Sequence, residues 1–491
     1  MKAKTQSLAK SSLTLIFARA IVNVSGIAQG VILSRLLTKA DNGTYQQIIT
    51  VVGFYVILAL GLPESITYFI SKATTEEEKV KKQSAIMTMG VLLSLILILG
   101  AAVADPLFVR FFSNTQLSGL GWCIGIILAG NVIQSMFQNT SIVMDHVRDA
   151  ATMSISYSLG NVLICASLFL YRDNVHLFIY LLAGFNLLMS LLRIGTVTRY
   201  FAFRLRPVWE MPLLREVLAF SLPICLSSAI GTVSRYMDRA VIGLFYTPAQ
   251  FAEYAQGARE LPYSIITGAI ISVLMPQVIK NFNTGGVSNS IELWKKGMVS
   301  SSYLIFFAIG SNILLSREII TVLYSEKYLQ SVPVFIVYTL LLVSRVTYWG
   351  MFLQAMKKPK LVMVVSLFSL GSNLVLNFVF IKLFGMIGPA ISAVTTSYAS
   401  VGIYLYLNCK NLNVSLKEFL PLKKLGVIIG VNVLAFALFG LLKYYYLDRI
   451  VSDNHTVDSI IRILIVGGLW AAGYAAVFRN DLKKIIVSLR Q

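Results

Sequence analysis

The sequence predicts an all-α polytopic membrane protein with fourteen transmembrane helices. They are expected as two pseudo-symmetric six-helix lobes followed by two C-terminal helices. Three observations carry that reading. Of the 491 residues, 56% are hydrophobic and only 13% are charged, where a soluble domain carries about 25% charged residues. Apolar runs of the ~20 residues that a helix needs to cross a bilayer recur along the whole chain. One stretch of the first half also returns, without a gap, 209 residues later.

The apolar segments lie near 11–37, 44–71, 84–104, 117–143, 151–171, 177–197, 215–245, 252–279, 297–315, 332–355, 361–382, 388–409, 425–447 and 459–478. The first has no small-residue cleavage site and continues as a full span, so no cleavable signal peptide is expected. The intervals between segments are too short for a soluble domain. "GLPES" (61–65), "SLP" (221–223) and "LMP" (274–276) put Pro63, Pro223 and Pro276 inside or near the ends of spans. Proline removes a backbone hydrogen bond there and kinks a helix. "GMIGPA" (385–390) reads as a turn and a helix start.

Charge sets the orientation. With the N-terminus inside, 26 of the 42 lysines and arginines fall in cytoplasmic segments, and eight fall in outer loops or at their edges. The cytoplasmic set runs from Lys2, Lys4 and Lys10 through Lys295, Lys296, Lys417, Lys423 and Lys424 to Lys483, Lys484 and Arg490; the outer set includes Arg172, Arg317, Lys443 and Arg449. This asymmetry predicts cytoplasmic termini and an even number of spans. The formal charge of +20 is therefore mostly topology, and nucleic acid is not an expected partner.

No catalytic or cofactor constellation is evident. Cys123, Cys165, Cys225 and Cys409 all lie in apolar segments and read as small buried residues. His146, His176 and His455 fall in loops without metal-ligand spacing. "GGVSNS" (285–290) is a loop, not a phosphate cradle, because no Lys-Ser/Thr follows. No metal and no cofactor are expected, and no enzymatic activity.

The repeat pairs "AIVNVSGIAQGVILSRLLTKADNGTYQQ" (20–47) with "AIGTVSRYMDRAVIGLFYTPAQFAEYAQ" (229–256), with eight identities in 28 columns. Both are a long helix, a tight polar turn and a second helix. Six spans separate them, so both copies have the same orientation, as in parallel repeats about the membrane normal. The expected organisation is an N-lobe over 1–200, a cytoplasmic connector over 201–214, a C-lobe over 215–410, and helices 13–14 with a cytoplasmic tail over 411–491.

Eight arginines remain inside spans: Arg19, Arg35, Arg193, Arg235, Arg239, Arg259, Arg345 and Arg462. Only Glu64, Asp238 and Glu260 oppose them. A network of buried ion pairs tends toward balance, so an excess of cations implies snorkelling or an anionic guest. Arg193 and Arg462 lie near span ends and are expected at the interface, and Arg35 is expected to support the outer turn. Arg19, Arg235, Arg239, Arg259 and Arg345 are the candidate substrate-binding cations. Arg345 falls close to the middle of the tenth segment. Arginine stays charged when buried, and its planar fork suits bidentate phosphate binding. Glu64, Asp238 and Glu260 are candidates for ion coupling or pairing; pairing of Arg259 with Glu64 or Asp238 is the structural alternative. Tyr236, Tyr348 and Trp349 adjoin these arginines and could face a sugar or serve packing.

"LSRLLTKADNGTYQ" (33–46), "GLPESITYFISK" (61–72), "MDRAVIGLFYTPAQFAEYA" (237–255) and the "LY…Y" element at 323–328 resemble the polysaccharide exporter and O-antigen flippase family. That family lies within the multidrug/oligosaccharidyl-lipid/polysaccharide exporter superfamily, and the resemblance runs over nearly the whole chain. It implies a V-shaped, two-lobe transporter in the bacterial cytoplasmic membrane. It also implies export of undecaprenyl-pyrophosphate-linked oligosaccharide for O-antigen, capsule or exopolysaccharide synthesis, by alternating access. The implied setting is a monomer working alongside a polysaccharide polymerase and glycosyltransferases. The related lipid II flippases carry cavity arginines in helices 1, 2 and 8. Arg19 and Arg259 are similar in placement, whereas helix 2 here offers Gln46, Gln47 and Thr50. Transport of lipid II or of small cationic drugs is the alternative; cationic drugs call for cavity carboxylates, which the arginine excess opposes.

Overall fold

The computed structural model describes residues 2–171, 174–261, 263–284, 286–447 and 454–481. Arg172, Arg449, Lys483, Lys484, Arg490 and the first glycine of "GGVSNS" lie outside the described residues. Among the described residues every regular element is helical. The chain divides into two compact units, 1–252 and 253–491.

In the first unit α1 (Lys2–Leu36) is followed closely by α2 (Lys39–Gly53). The Thr38 hydroxyl accepts from the Asp41 amide and starts α2, as a side-chain cap does. The second apolar segment then breaks into α3 (Tyr55–Leu58) and α4 (Leu62–Lys72). Leu60 and Gly61 both have positive φ, 52° and 71°. Pro63 sits in the first turn of α4, where a missing N–H costs nothing. It starts a helix rather than kinking one. Next come α5 (Glu76–Val103), α6 (Asp105–Phe112), α7 (Gly121–Val143), α8 (Val147–Ala166) and α9 (Val175–Tyr200). A core of Leu62, Ile66, Phe69, Ile86, Val132 and Met136 binds α4, α5 and α7.

The long α10 (Met211–Phe245) packs on α2 to α6 and so belongs to the first unit. The division at 252/253 therefore falls one helix later than the 201–214 connector. α10 is bent by 43° between Leu226 and Ser228, within a turn of Pro223.

From α11 (Pro248–Gly257) the chain runs into the second unit. There follow α12 (Ser264–Asn283), α13 (Val287–Leu314), α14 (Ser316–Tyr324), α15 (Val332–Leu340) and α16 (Met351–Ala355). Then come α17 (Pro359–Phe384), α18 (Gly388–Leu412), α19 (Leu416–Phe419), α20 (Leu422–Leu442), α21 (His455–Arg462) and α22 (Gly468–Val477). Trp294, Trp349, Phe352 and Phe419 form one aromatic core. Trp470, Tyr474 and Phe478 form another, against Tyr303 and Ile428. Among the described residues eleven helices are long and apolar enough to cross a membrane, or up to twelve if the bent pair within α10 is one span. One of these stretches, 359–412, holds both α17 and α18, divided by a turn at Gly385 with φ 64°.

The repeat is visible in the element bounds. α1 and α10 are both 35 residues long, and their bounds, like the starts of α2 and α11, differ by 209 residues. Further on the offset becomes 211. α5 and α13 are both 28 residues long, and α6 and α14 begin at Asp105 and Ser316. α7 and α15 keep that offset, beginning at Gly121 and Val332.

Two arginines expected at the interface are enclosed by protein instead, Arg193 fully and Arg462 in part. Arg193 is 2% exposed. Its Nη2 donates to the Met153 carbonyl at 3.0 Å, and its guanidinium lies 5.4 and 5.5 Å from the Phe137 and Tyr157 ring centres. Cation–π contact with two rings replaces water there. Arg462 lies 3.7 Å from Glu318, which also receives Lys443 at 2.8 Å. Lys443, assigned above to an outer loop edge, thus ties the C-terminal helices to α14, and the Glu318 side chain is only 4% exposed.

Two measurements test this packing. Lys443→Met should lower stability by about 3–5 kcal/mol in unfolding experiments in detergent, because it leaves the Glu318 carboxylate buried with a weaker partner; adding Glu318→Gln should recover much of the loss. Gly61→Ala should cost about 1–3 kcal/mol. A Cβ there would strike the Ser221 carbonyl and hold alanine at positive φ.

Candidate functional site

Besides the second segment, two spans expected to be continuous are interrupted, and candidate charges sit at both of these breaks. The eighth segment stops as α11 at Gly257 and resumes as α12 at Ser264. Arg259 and Glu260 occupy the non-helical stretch between. The tenth segment begins as α15, tightens into a 3-10 turn over Leu341–Arg345, opens at Val346–Gly350 and resumes as α16. Arg345 is therefore the last residue of the tightened turn, and not a mid-helix residue.

Open backbone at membrane depth must be satisfied by the protein. Tyr398 Oη donates to the Leu340 carbonyl at 2.7 Å. The Trp349 indole donates to the Ser344 carbonyl at 2.9 Å, and Asn408 Nδ2 to the Trp349 carbonyl at 2.8 Å. Trp349 packs edge-on against Trp294, so this indole serves the break and the core. Tyr348 is held through its hydroxyl, which accepts from Gln354 Nε2 at 2.8 Å.

The two breaks are joined by one ion pair. Arg345 Nη2 donates to Glu260 Oε1 at 3.0 Å, with the side chains 49% and 25% exposed. A cavity of about 360 Å³ opens beside it. Its walls carry Arg345, Tyr348 and Tyr404 together with the hydroxyl residues Thr267, Ser397 and Ser400. This lining combines one cation, several neutral hydrogen-bonding groups and aromatic faces. It can bind an anion while hydrogen-bonding polyols, and it offers no nucleophile–base pair.

In the first unit Arg19 and Arg235 are exposed, Arg239 is partly buried, and Asp238 is 2% exposed. Glu64 is exposed just beyond the Gly61 turn, and Tyr55 lies in electrostatic range of both Glu64 and Arg235. Tyr236 packs against Gly53 and the Phe54 ring. Gln46, Gln47 and Thr50 are buried; Asn114 Nδ2 donates to Gln47 Oε1 at 2.8 Å, and the Thr50 hydroxyl to the Gln46 carbonyl.

Sequence reasoning missed a second polar cavity, of about 240 Å³, inside the first unit. Asn131, Asn161, Asn186, Tyr55, Tyr157 and Tyr236 line it. Tyr157 Oη donates to Asn186 Oδ1 at 2.6 Å, and among the described residues the buried Asn161 Oδ1 has no hydrogen-bond partner. The available signal was amide residues recurring inside otherwise apolar segments.

Known proteins share this architecture. A family profile described as "Polysaccharide biosynthesis protein" matches residues 32–333. A protein named "Probable low-salt glycan biosynthesis flippase Agl15" from Haloferax volcanii is 28% identical over 220 residues, which cover 41% of this chain and 43% of that one. The match thus spans less than half the length of that curated relative. A solved structure titled as the lipid II flippase MurJ in an inward closed conformation aligns with TM-score 0.74 and 16% identity, over 96% of this chain and 99% of that one. An inward-facing multidrug resistance MATE family transporter of the MOP superfamily aligns with TM-score 0.62 and 14% identity, over 81% and 96%. These likenesses establish the fold.

A double-mutant cycle tests the pairing of the breaks. Glu260→Gln and Arg345→Gln should couple by about 0.2–1 kcal/mol in thermal unfolding, as a half-exposed pair does. A coupling near zero would show that the breaks are held by their backbone caps alone.

Proposed function

The chain belongs to the polysaccharide biosynthesis protein family, and from that premise we propose that it is a flippase for a lipid-linked oligosaccharide. Its substrate is a glycan on undecaprenyl pyrophosphate, moved from the inner to the outer leaflet of a bacterial cytoplasmic membrane by alternating access. The product serves O-antigen, capsule or exopolysaccharide synthesis, and both termini lie in the cytoplasm. It works without catalysis as a monomer, beside a polymerase and glycosyltransferases.

The observation that supports this reading most is Arg345, set in a break of a span and opening on a cavity lined by hydroxyl groups and phenol rings. In this reading Arg345 binds the pyrophosphate and the cavity walls bind sugar hydroxyls. Glu260 is the resting partner. A half-exposed ion pair contributes only ~1 kcal/mol or less. A bidentate contact with phosphate is stronger, so the substrate displaces Glu260 at small cost. Arg259, at the neighbouring break, supplies a second cation. Arg19, Arg235 and Arg239 contribute further positive charge along the path. Glu64 and Asp238 stand as candidates for ion coupling, with Glu260 as a third once displaced.

Lipid II is the second reading, favoured by the fold likeness to a lipid II flippase over 96% of the chain. It uses the same cation and differs in the sugar. Small cationic drugs fit poorly, because the residue that opens on this cavity is an arginine.

Arg345→Ala should reduce surface polysaccharide by about tenfold or more at matched protein levels, with Arg345→Lys intermediate because it loses the bidentate fork. Arg259→Ala and Arg235→Ala should also reduce it, and full activity in all three would overturn the proposal. Glu260→Gln should bind inorganic pyrophosphate more tightly than the parent chain in detergent, since it removes the competing carboxylate. Weaker binding would show that Glu260 supports the site instead.

A further inference from the structure

The second unit carries a basic pocket that the flippase reading does not use. It has a volume of about 800 Å³ and shares no lining residue with the cavity at Arg345. Five lysines ring it: Lys295 and Lys296 near the start of α13, Lys417 in α19, and Lys423 and Lys424 at the start of α20. Its floor is apolar, made by Val299, Tyr303, Leu420 and Leu422.

The nearby carboxylates are already engaged. Glu292 receives Lys296 at 3.0 Å. Asp481 accepts the Tyr303 hydroxyl at 3.0 Å. Glu418 accepts the Ser415 amide at 2.9 Å in a capping box, which holds its carboxyl below the usual range. Lys295 also feels Glu292 and Glu418 through space. Of the five lysines, Lys296 is thus paired with Glu292, while Asp481 and Glu418 are hydrogen-bonded to Tyr303 and Ser415.

Placement identifies the ligand. α13 and α20 both belong to stretches apolar enough to cross a membrane; Lys423 and Lys424 stand in the first turn of α20, and Lys295 and Lys296 about two turns into α13, just before its apolar run. A soluble anion gains nothing from an apolar floor. A lipid with an anionic headgroup matches both parts, its phosphate among the lysines and its upper acyl chains on Val299 and Leu422. Basic pockets between transmembrane helices hold such headgroups, and each surface lysine contributes about 1 kcal/mol toward anionic lipid. We propose that this pocket is a binding site for the headgroup of an anionic bilayer phospholipid, of the phosphatidylglycerol class, that seats α19 and the start of α20 against α13.

The test uses the full chain in detergent micelles, titrated with phosphatidylglycerol or phosphatidylcholine and read by native mass spectrometry. Phosphatidylglycerol should bind at least about tenfold more tightly than phosphatidylcholine. The triple variant Lys417→Ala/Lys423→Ala/Lys424→Ala should lose that preference. The matching Lys→Arg triple should keep it, which separates lost charge from lost folding. Lys357→Ala/Lys358→Ala/Lys360→Ala, outside the pocket, should leave it unchanged. Equal affinity for the two lipids, or an unchanged Lys→Ala triple, would overturn the proposal. So would displacement of the lipid by millimolar inorganic phosphate, which would mark a site for a free anion.

Discussion

The site depends on one constraint: in hydrocarbon, a broken helix must have its backbone hydrogen bonds completed from elsewhere. The tenth span stops being helical at Val346, and the freed carbonyls of Leu340, Ser344 and Trp349 are taken by Tyr398, the Trp349 indole and Asn408. Two of these donors come from α18. The neighbouring helix therefore holds the break open at a cost the protein can bear. Without the break, Arg345 would project from a regular helix at a depth where its charge costs roughly 2.5–3.5 kcal/mol or more. With it, the guanidinium reaches a carboxylate and a polar cavity.

The second unit uses ionic groups in two ways, and burial separates them. Glu318, Lys443 and Arg462 form a cluster whose side chains are at most 19% exposed. It links helices distant in sequence and loses several kcal/mol if one partner is removed. The Glu260 and Arg345 side chains are 25% and 49% exposed, against 4% and 13% for Glu318 and Lys443, and their pairing is correspondingly weak. A structural pair is best kept dry. A pair that must exchange partners is best kept wet, because water lowers what is lost when it opens. The geometry of Glu260 and Arg345 suits the second task.

Much of the fold was legible because apolar length and turn chemistry are local signals. The two-residue turns after Leu36 and Phe245 read directly from "LTKADNG" and "YTPAQ". The interruptions were not legible from hydropathy, since a break lined by tryptophan, tyrosine and leucine is as apolar as a helix. Weak local marks existed: "RELP" puts a proline after Leu261, which disfavours helix there, and "TYWG" ends in glycine at 350. Arg193 was misread for a related reason. Position near a span end suggests snorkelling, but only packing reveals that Phe137 and Tyr157 enclose the guanidinium. The pairing of Glu260 with Arg345 spans 85 residues, and no local pattern encodes it.

The repeat turns these details into an argument about origin and use. At the 209-residue offset Arg259 corresponds to Thr50, Arg235 to Gly26 and Arg239 to Gly30. At the 211-residue offset Arg345 corresponds to Gln134, which lies in the unbroken α7. Helix lengths and turns are shared by the two copies, so the fold itself requires them. These four arginines and the break in the tenth span have no counterpart in the first copy, so the fold does not require them. The first copy likewise carries a cation of its own, Arg19, which aligns with Ser228, so charge differs between the copies where helix bounds do not.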